Sequence, residues 1–375
     1  MKIAVIARML RRGKIEGIGM FARETLQRIT KQHPEHQFAF LFDRPYDDEF
    51  TFSENVRPLI LSFPARHPAQ IAWWHQVSLK KYLQKNSHDI LISPDGSIPL
   101  RSPVPTLAVI HDINFEHFPA DLPFSFRHYY RYYYPKIAKA ATRIVTVSEF
   151  SKSDIINRYN IDAGKIDVVY NAVGDSFRPI DGTMINTVRS RYSSGSPYFL
   201  FVGSIHQRKN IDGMIRAFDK FKENVPSDMK LIFAGAKRWW KKETEDAFHQ
   251  SLYKNDIIFT GRVSDEQLTE LIGSALALVL ASKFEGFGIP ILEAMKCGVP
   301  VITSDVTAMP EIAGDAALLV DPFSTDSISE AMRKIFQDDS LRQSLISKGI
   351  ERAKKFTWDE SATQLWKSVE RILAK

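Results

Sequence analysis

The stretch "LALVLASKFEGFGIPILEAMKCGVPVITSD", from Leu276 to Asp305, holds a complete structural unit. "LALVLAS" and "VPVITS" are unbroken apolar runs of strand length, and the segment between them reads as a loop followed by a helix. Strands buried on both faces look like this, and a helix joining two of them makes a parallel crossover. Pro290 suits the first helical position, where its missing N–H costs nothing. That reading puts Glu285 at the loop mouth and Glu293 in the first helical turn. Three explanations compete for these carboxylates: an acid–base pair, a metal site, or two clamps on different parts of one ligand. A glutamate in a first turn is also ordinary helix design. Two glycines directly after a buried strand argue for ligand contact.

The same alternation runs outward in both directions. The first half carries "IAVIA", "FAFLF", "PLILS", "DILIS", "TLAVI" and "RIVTV"; the second carries "YFLFVG", "KLIFAG", "DIIFTG", "LALVLAS", "VPVITS" and "AALLVD". Two such series predict an α/β protein made of two doubly wound, Rossmann-like domains. The expected organisation is residues 1–180, a polar linker over 181–196, and a second domain over 197–356. A terminal helix, 357–375, starts with Thr357 as N-cap and Glu360 as its capping-box partner. Ligands in such folds bind at the carboxyl ends of the strands, so the residues after each strand are the candidates.

The composition is globular, with 44% hydrophobic and 25% charged residues and a net charge of +6. That mild excess fits an anionic ligand and does not point to nucleic acid. Cys297 is the only cysteine, which excludes an intrachain disulfide and a cysteine metal cage. The apolar runs are too short for a signal peptide or a membrane span, so a cytoplasmic protein is expected.

Four strand ends carry chemistry. Glu285 and Glu293 flank the amides of Gly286 to Ile289, and free N–H groups at a helix start form an anion site. In "FVGSIHQRKNIDGMIRAF", Gly203 ends a strand, Arg208 and Lys209 follow, and Asn210 is placed to cap a helix; two cations there suit a diphosphate. His111 ends the strand Thr106 to Ile110, ahead of Asp112. Ser148, after "RIVTV", reads as a helix cap. The fourth, "RRGKIEGIGMFARETL", matches the dinucleotide fingerprint through Gly17, Gly19 and Ala22, with Asp43 ending the next strand. Some nine residues separate that glycine from the strand, where the fingerprint requires none. A flexible, arginine-rich lip carrying Arg8, Arg11, Arg12 and Lys14 over an anionic ligand is the better reading. No D-x-D pair and no cluster of His, Cys and carboxylates with metal-ligand spacing is apparent, so no metal is expected.

Together these residues resemble the retaining GT-B glycosyltransferases of family 4, over nearly the whole chain. The resemblance is strongest from Tyr198 to Asp321, where "FVGSIHQRKNIDGMIRAF", "LIFAG", "IIFTGRVSDEQLTELIGSA", "FEGFGIPILEAMKCGVPVITSD" and "MPEIAGDAALLVDP" follow in order. It implies the GT-B fold, two Rossmann-like domains facing across a cleft. It also implies a nucleotide-diphosphate sugar donor on the second domain and a glycan or lipid-linked acceptor on the first. Arg208 and Lys209 would bind the diphosphate without metal, Glu285 would contact the transferred sugar, and His111 would act beside the anomeric centre. Gly17 and Gly19, Gly203 and Ser204, Phe287, Gly288 and Ile289 would surround the donor. Glu293 would accept from the ribose hydroxyls, and Arg262 and Val263 would flank the base. Transfer would retain the anomeric configuration by front-face displacement. Two departures stand out: Glu16 replaces a usual glycine, and His206–Gln207 precede the RK pair where glutamate and proline are common.

The rivals are a nucleotide-sugar epimerase, a phosphorylase, an NAD-dependent oxidoreductase and a non-catalytic sugar-binding protein. "IAWWHQVSLKKYLQ", "FRHYYRYYYPKIAKAA" and "KRWWKKE" mix aromatic and basic residues, a composition suited to peripheral contact at the inner face of a membrane. Packed helices with solvated cations give the same pattern.

Overall fold

The computed structural model describes residues 1–13, 15, 17–237 and 241–374. Lys14 of the expected lip, the Glu16 departure and Arg238 to Trp240 of the third aromatic–basic stretch lie outside the described residues. The chain forms two compact units, Met1–Asn171 with Thr357–Lys375, and Ala172–Phe356.

The first unit contains strands β1 (Lys2–Ile6), β2 (Gln37–Phe42), β3 (Val56–Ile60), β4 (Ile90–Ser93), β5 (Thr106–Val109), β6 (Arg143–Thr146) and β7 (Ile166–Val168). They form one parallel sheet in the order β3-β2-β1-β4-β5-β6-β7. The second unit contains β8 (Tyr198–Val202), β9 (Lys230–Ala234), β10 (Ile257–Gly261), β11 (Ala277–Leu280), β12 (Val301–Ser304) and β13 (Leu318–Val320), in the order β10-β9-β8-β11-β12-β13. Both sheets therefore reverse their winding once, between β1 and β4 and between β8 and β11, and the crevice at such a reversal is where doubly wound folds bind ligands. The expected strands are present. β7 was not anticipated, because three residues that include Asp167 give no apolar run.

The helices that position the features below are α1 (Gly17–Gln32), α2 (Phe124–Ala140), α3 (Glu149–Tyr159), α4 (Gly182–Ser193), α5 (Ile211–Asn224), α6 (Asp265–Gly273), α7 (Ile289–Lys296) and α8 (Trp358–Leu373). The expected linker is corrected by α4, which occupies most of it. Asp181 caps α4 by accepting from the Met184 amide at 2.8 Å, and Arg189 donates to the Ser274 carbonyl at 3.1 Å. Its polarity misled because one turn faces the core through Val188 while most of the helix is exposed or half-exposed.

α8 returns to the first unit and packs on α1 through Trp358, Leu365, Trp366 and Val369. Each large apolar side chain removed from water there contributes about 1.5–3 kcal/mol. Asp167 adds a polar tie, accepting from Ser368 at 2.8 Å and from Arg371 at 2.6 Å. Thr357 caps α8 as expected, accepting from the Glu360 amide at 3.2 Å, but Glu360 receives Gln364 rather than completing a capping box.

Candidate active site

In the second unit, β8 and β9 end in glycines that only glycine can occupy. Gly203 has φ 145°, and a Cβ on Gly235 would lie 1.9 Å from the Gly203 carbonyl oxygen. The two strand-end loops thus touch backbone to backbone. A 3₁₀ turn, Gln207–Lys209, then carries the two cations to Asn210, whose φ of 58° is left-handed. Asn210 stands at the N-cap position of α5 without capping it. Its side-chain amide instead donates to the Ala281 carbonyl at 3.0 Å and the Pro322 carbonyl at 2.7 Å, locking this turn to the end of β11.

That lock brings Glu285 onto the cations. Its carboxylate accepts from Arg208 at 3.1 Å, from Lys209 through a short bond, and from Ser282 at 2.9 Å. Arg208 also donates to the Phe284 carbonyl at 3.0 Å, and the Glu285 amide donates to Thr307 Oγ1 at 3.3 Å. Burial alone would raise the Glu285 carboxyl; Lys209 and Arg208 overcome it and hold the group at about 2. Two cations against one carboxylate leave the triad positive in excess, beside the β8–β11 reversal point.

The loop after Glu285 places Gly288 at φ 96° as the residue that opens α7, so the helix begins at Ile289 and Pro290 is its second residue. Glu293 consequently falls in the second turn, not the first, and helix-terminal charge compensation does not explain it. It is half-buried, and among the described residues no donor bonds its carboxylate. Burial, aided by Asp265 of α6, pushes its carboxyl up to about 8. Phe287 packs inward, edge-on to Phe356 at 6.0 Å, so its side chain serves the fold while its amide stays in the loop. Ser204 follows Gly203. Arg262 and Val263 lie between β10 and α6, with Arg262 exposed.

In the first unit His111 is half-buried, edge-on to Phe21 at 5.1 Å, with Nε2 2.9 Å from the Pro94 carbonyl. A carbonyl partner requires Nε2 to carry the proton, and burial lowers the ring's affinity for a second one. His111 is a neutral imidazole with Nδ1 as its acceptor. Ser148 caps α3, accepting from the Ser151 amide at 3.0 Å.

Two expectations change here. Gly17 and Gly19 form the first turn of α1 and not a loop, and Gly19 is buried where a Cβ would lie 3.0 Å from the Met9 carbonyl. Arg8 is no flexible lip: it donates to Asp43 at 3.2 Å and to the Ala65 carbonyl at 3.0 Å, beneath Trp74. Asp43 is fully buried and also receives Arg44 at 2.6 Å and the Ala65 amide at 3.0 Å. Buried and already held by two arginines and an amide, Asp43 is committed to the fold, which weakens the structural basis of the dinucleotide reading. Gly235, Ser282 and Thr307 were not among the expected site residues; of the three only Gly235 carries a local signal, as a glycine ending a strand. His33, Glu35 and His36, which were not among the expected site residues, bring one ligand-type atom each within 4.8 Å of the others on a single turn.

No helix among the described residues is long and apolar enough to cross a membrane. Of the aromatic–basic stretches, the first has Trp74 buried but leaves Trp73 exposed, stacked at 5.2 Å on the likewise exposed Phe63. α2 exposes more: Phe124 and Tyr132 are 68% and 58% exposed, beside Arg127 and Lys136.

Two family models tile the chain. Glycosyl transferases group 1 matches residues 187–352, and Glycosyltransferase Family 4 matches residues 15–177. The chain is similar to O-antigen chain mannosyltransferase B of Escherichia coli, 29% identical over 369 residues, covering 93% of this chain and 94% of that protein. Among solved structures it is similar to sucrose-phosphate synthase from Thermosynechococcus elongatus, with TM-score 0.78 and 18% identity over 100% of this chain and 99% of that one. It is also similar to Anabaena Alr3699/HepE in complex with UDP and glucose, with TM-score 0.75 and 15% identity over 99% of this chain and 100% of that one. At these identities the structures establish the GT-B fold.

Proposed function

This chain belongs to the group 1 glycosyltransferases, and from that premise we propose that it moves a hexose, mannose first, from a nucleotide-diphosphate sugar to a glycan or lipid-linked acceptor in surface polysaccharide biosynthesis. The observation that carries the reading is the Glu285–Arg208–Lys209 triad at the reversal point of the second sheet. The mannosyltransferase relative supports the sugar and pathway class, and the UDP-bound neighbour supports a nucleoside diphosphate as the leaving group.

The donor's diphosphate binds Arg208 and Lys209 together with the amides of Ser204 and the α7 start, which disperse the negative charge that grows as the nucleotide leaves. Gly203, whose own amide donates to the Ala234 carbonyl at 2.9 Å, lets the backbone turn into this loop. Glu285 holds both cations in place and turns its edge to the transferred sugar. Glu293 accepts from the ribose hydroxyls, and Arg262 and Val263 flank the base. Cations and amides do the work a metal ion would do elsewhere, so transfer proceeds without one. The acceptor hydroxyl enters on the face the nucleotide leaves, retaining the anomeric configuration. His111, neutral and with a free acceptor nitrogen, hydrogen-bonds the sugar. The first unit binds the acceptor, while Gly17 and Gly19, in the first turn of α1, keep the donor-phosphate role that the resemblance gives them. The exposed aromatic–basic face of α2 gives peripheral contact with an anionic membrane holding a lipid-linked acceptor.

Incubating the chelated enzyme with GDP-mannose, or with UDP-sugars, and a glycan acceptor tests this. An α-linked glycoside from an α-linked donor is expected. An inverted anomer contradicts the mechanism, and a changed donor without any glycoside identifies an epimerase.

A further inference from the structure

The turn joining α1 to β2 reads His33-Pro34-Glu35-His36 and lies at the opposite end of β2 from Asp43. The His36 amide donates to the His33 carbonyl at 3.2 Å, a tight turn that sets the two side chains next to each other. Glu35 Oε1 lies 3.5 Å from His33 Nδ1 and 3.2 Å from His36 Nε2, and one ligand atom from each residue falls within 4.8 Å of the others. Tetrahedral zinc, with bonds of about 2.0–2.2 Å, needs its ligand atoms about 3.3–3.5 Å apart. Two imidazoles and a carboxylate are donors suited to zinc and its borderline-soft neighbours.

The frame holding these donors is fixed from behind. Asn55 Nδ2 lies 3.0 Å from the carbonyl oxygens of Thr30, His33 and His36, pinning the end of α1 and both ends of the turn. Trp366 of the returning helix α8 stacks on His33 at 3.9 Å and on His36 at 5.3 Å. The His36 nitrogen facing away from Glu35 lies 3.3 Å from the Met1 amine.

We propose that His33, Glu35 and His36 bind one divalent transition-metal ion of the zinc class, completed by water. The ion fixes the imidazole surface against which α8 docks, and so clasps the end of the chain to the first unit. It takes no part in the transfer chemistry, and the donor reading stands or falls without it.

The test uses tag-free, chelator-stripped full-length enzyme titrated with Zn²⁺ by calorimetry and with Co²⁺ by visible absorption. One equivalent is expected, with intense tetrahedral Co²⁺ bands, a higher Tm with Zn²⁺, and quenching of tryptophan fluorescence by Cu²⁺. His33→Ala/His36→Ala should lower affinity at least 100-fold. Glu35→Gln, at an exposed position that folding does not need, should lower it about tenfold. Trp366→Phe should keep the Co²⁺ bands and lose most of the quenching. Absence of stoichiometric binding overturns the proposal, as does equal affinity in the double variant.

Discussion

Each unit buries one carboxylate between two cations near the reversal point of its sheet, and the two arrangements serve different ends. Asp43 is met by Arg8, Arg44 and the Ala65 amide, and Arg8 is further spent on the Ala65 carbonyl and the face of Trp74. Its strand β1 runs into Ala7 and Arg8 with no glycine, so side chains fill the crevice. Glu285 is met by Arg208 and Lys209 beside strands ending at Gly203 and Gly235 and a helix opening at Gly288. Backbone rather than side chain stands at those strand ends, next to surplus positive charge. The same sheet topology holds a structural ion cluster where the strand ends carry side chains and, where they carry glycine, the cation pair that we propose binds the diphosphate.

Substitutions on the two sides should separate these roles. Arg208→Ala is expected to cut kcat by about 10²–10³, the size of losing one preorganised charge-stabilising donor, while leaving most of the fold intact. Arg8→Ala should do the reverse: breaking a buried ion pair costs about 3–5 kcal/mol of stability, visible as a lowered denaturation midpoint with little change in kcat per folded molecule. Gly235→Ala forces two strand-end loops apart and should cost about 2–4 kcal/mol, among the large backbone effects, read by the same denaturation.

The pH responses differ in sign. Glu285 is held at about 2 against 4.5 for a free glutamate, and Asp43 is also lowered. Their contribution to stability is complete above about pH 4.5–5 and is lost as pH falls toward 2. Glu293 is raised to about 8, so its contribution is present below about pH 4.5 and declines as pH rises toward 8. An ionised Glu293 is the form that accepts from ribose, so nucleotide affinity should fall as pH drops below 8. Glu293→Gln should flatten that profile, and Glu293→Ala should weaken binding about tenfold, the worth of a charged hydrogen bond. Calorimetry across pH 6–9 measures both.

Much of this was legible in the sequence because buried parallel strands and glycine-ended loops leave local marks. The apolar runs gave all but one strand, and Glu285, Arg208 and Lys209 declared themselves by standing at strand ends. What stayed hidden depends on distant partners. Nothing local shows that Asn210 reaches Ala281 and Pro322 instead of capping α5, or that Asp43 is already occupied by two arginines. A one-residue shift in the start of α7 moved Glu293 out of the first turn, where helix boundaries are least certain. The polar α4 looked like a linker because a surface helix with one buried valine has almost no periodicity to read.

The most direct test of the central claim is calorimetric binding of GDP and UDP to the wild type, Arg208→Ala and Arg44→Ala under identical chelated conditions. The account predicts that one nucleotide binds the wild type and Arg44→Ala alike, and Arg208→Ala at least tenfold more weakly. Undiminished affinity in Arg208→Ala, or an equal loss in Arg44→Ala, would contradict it.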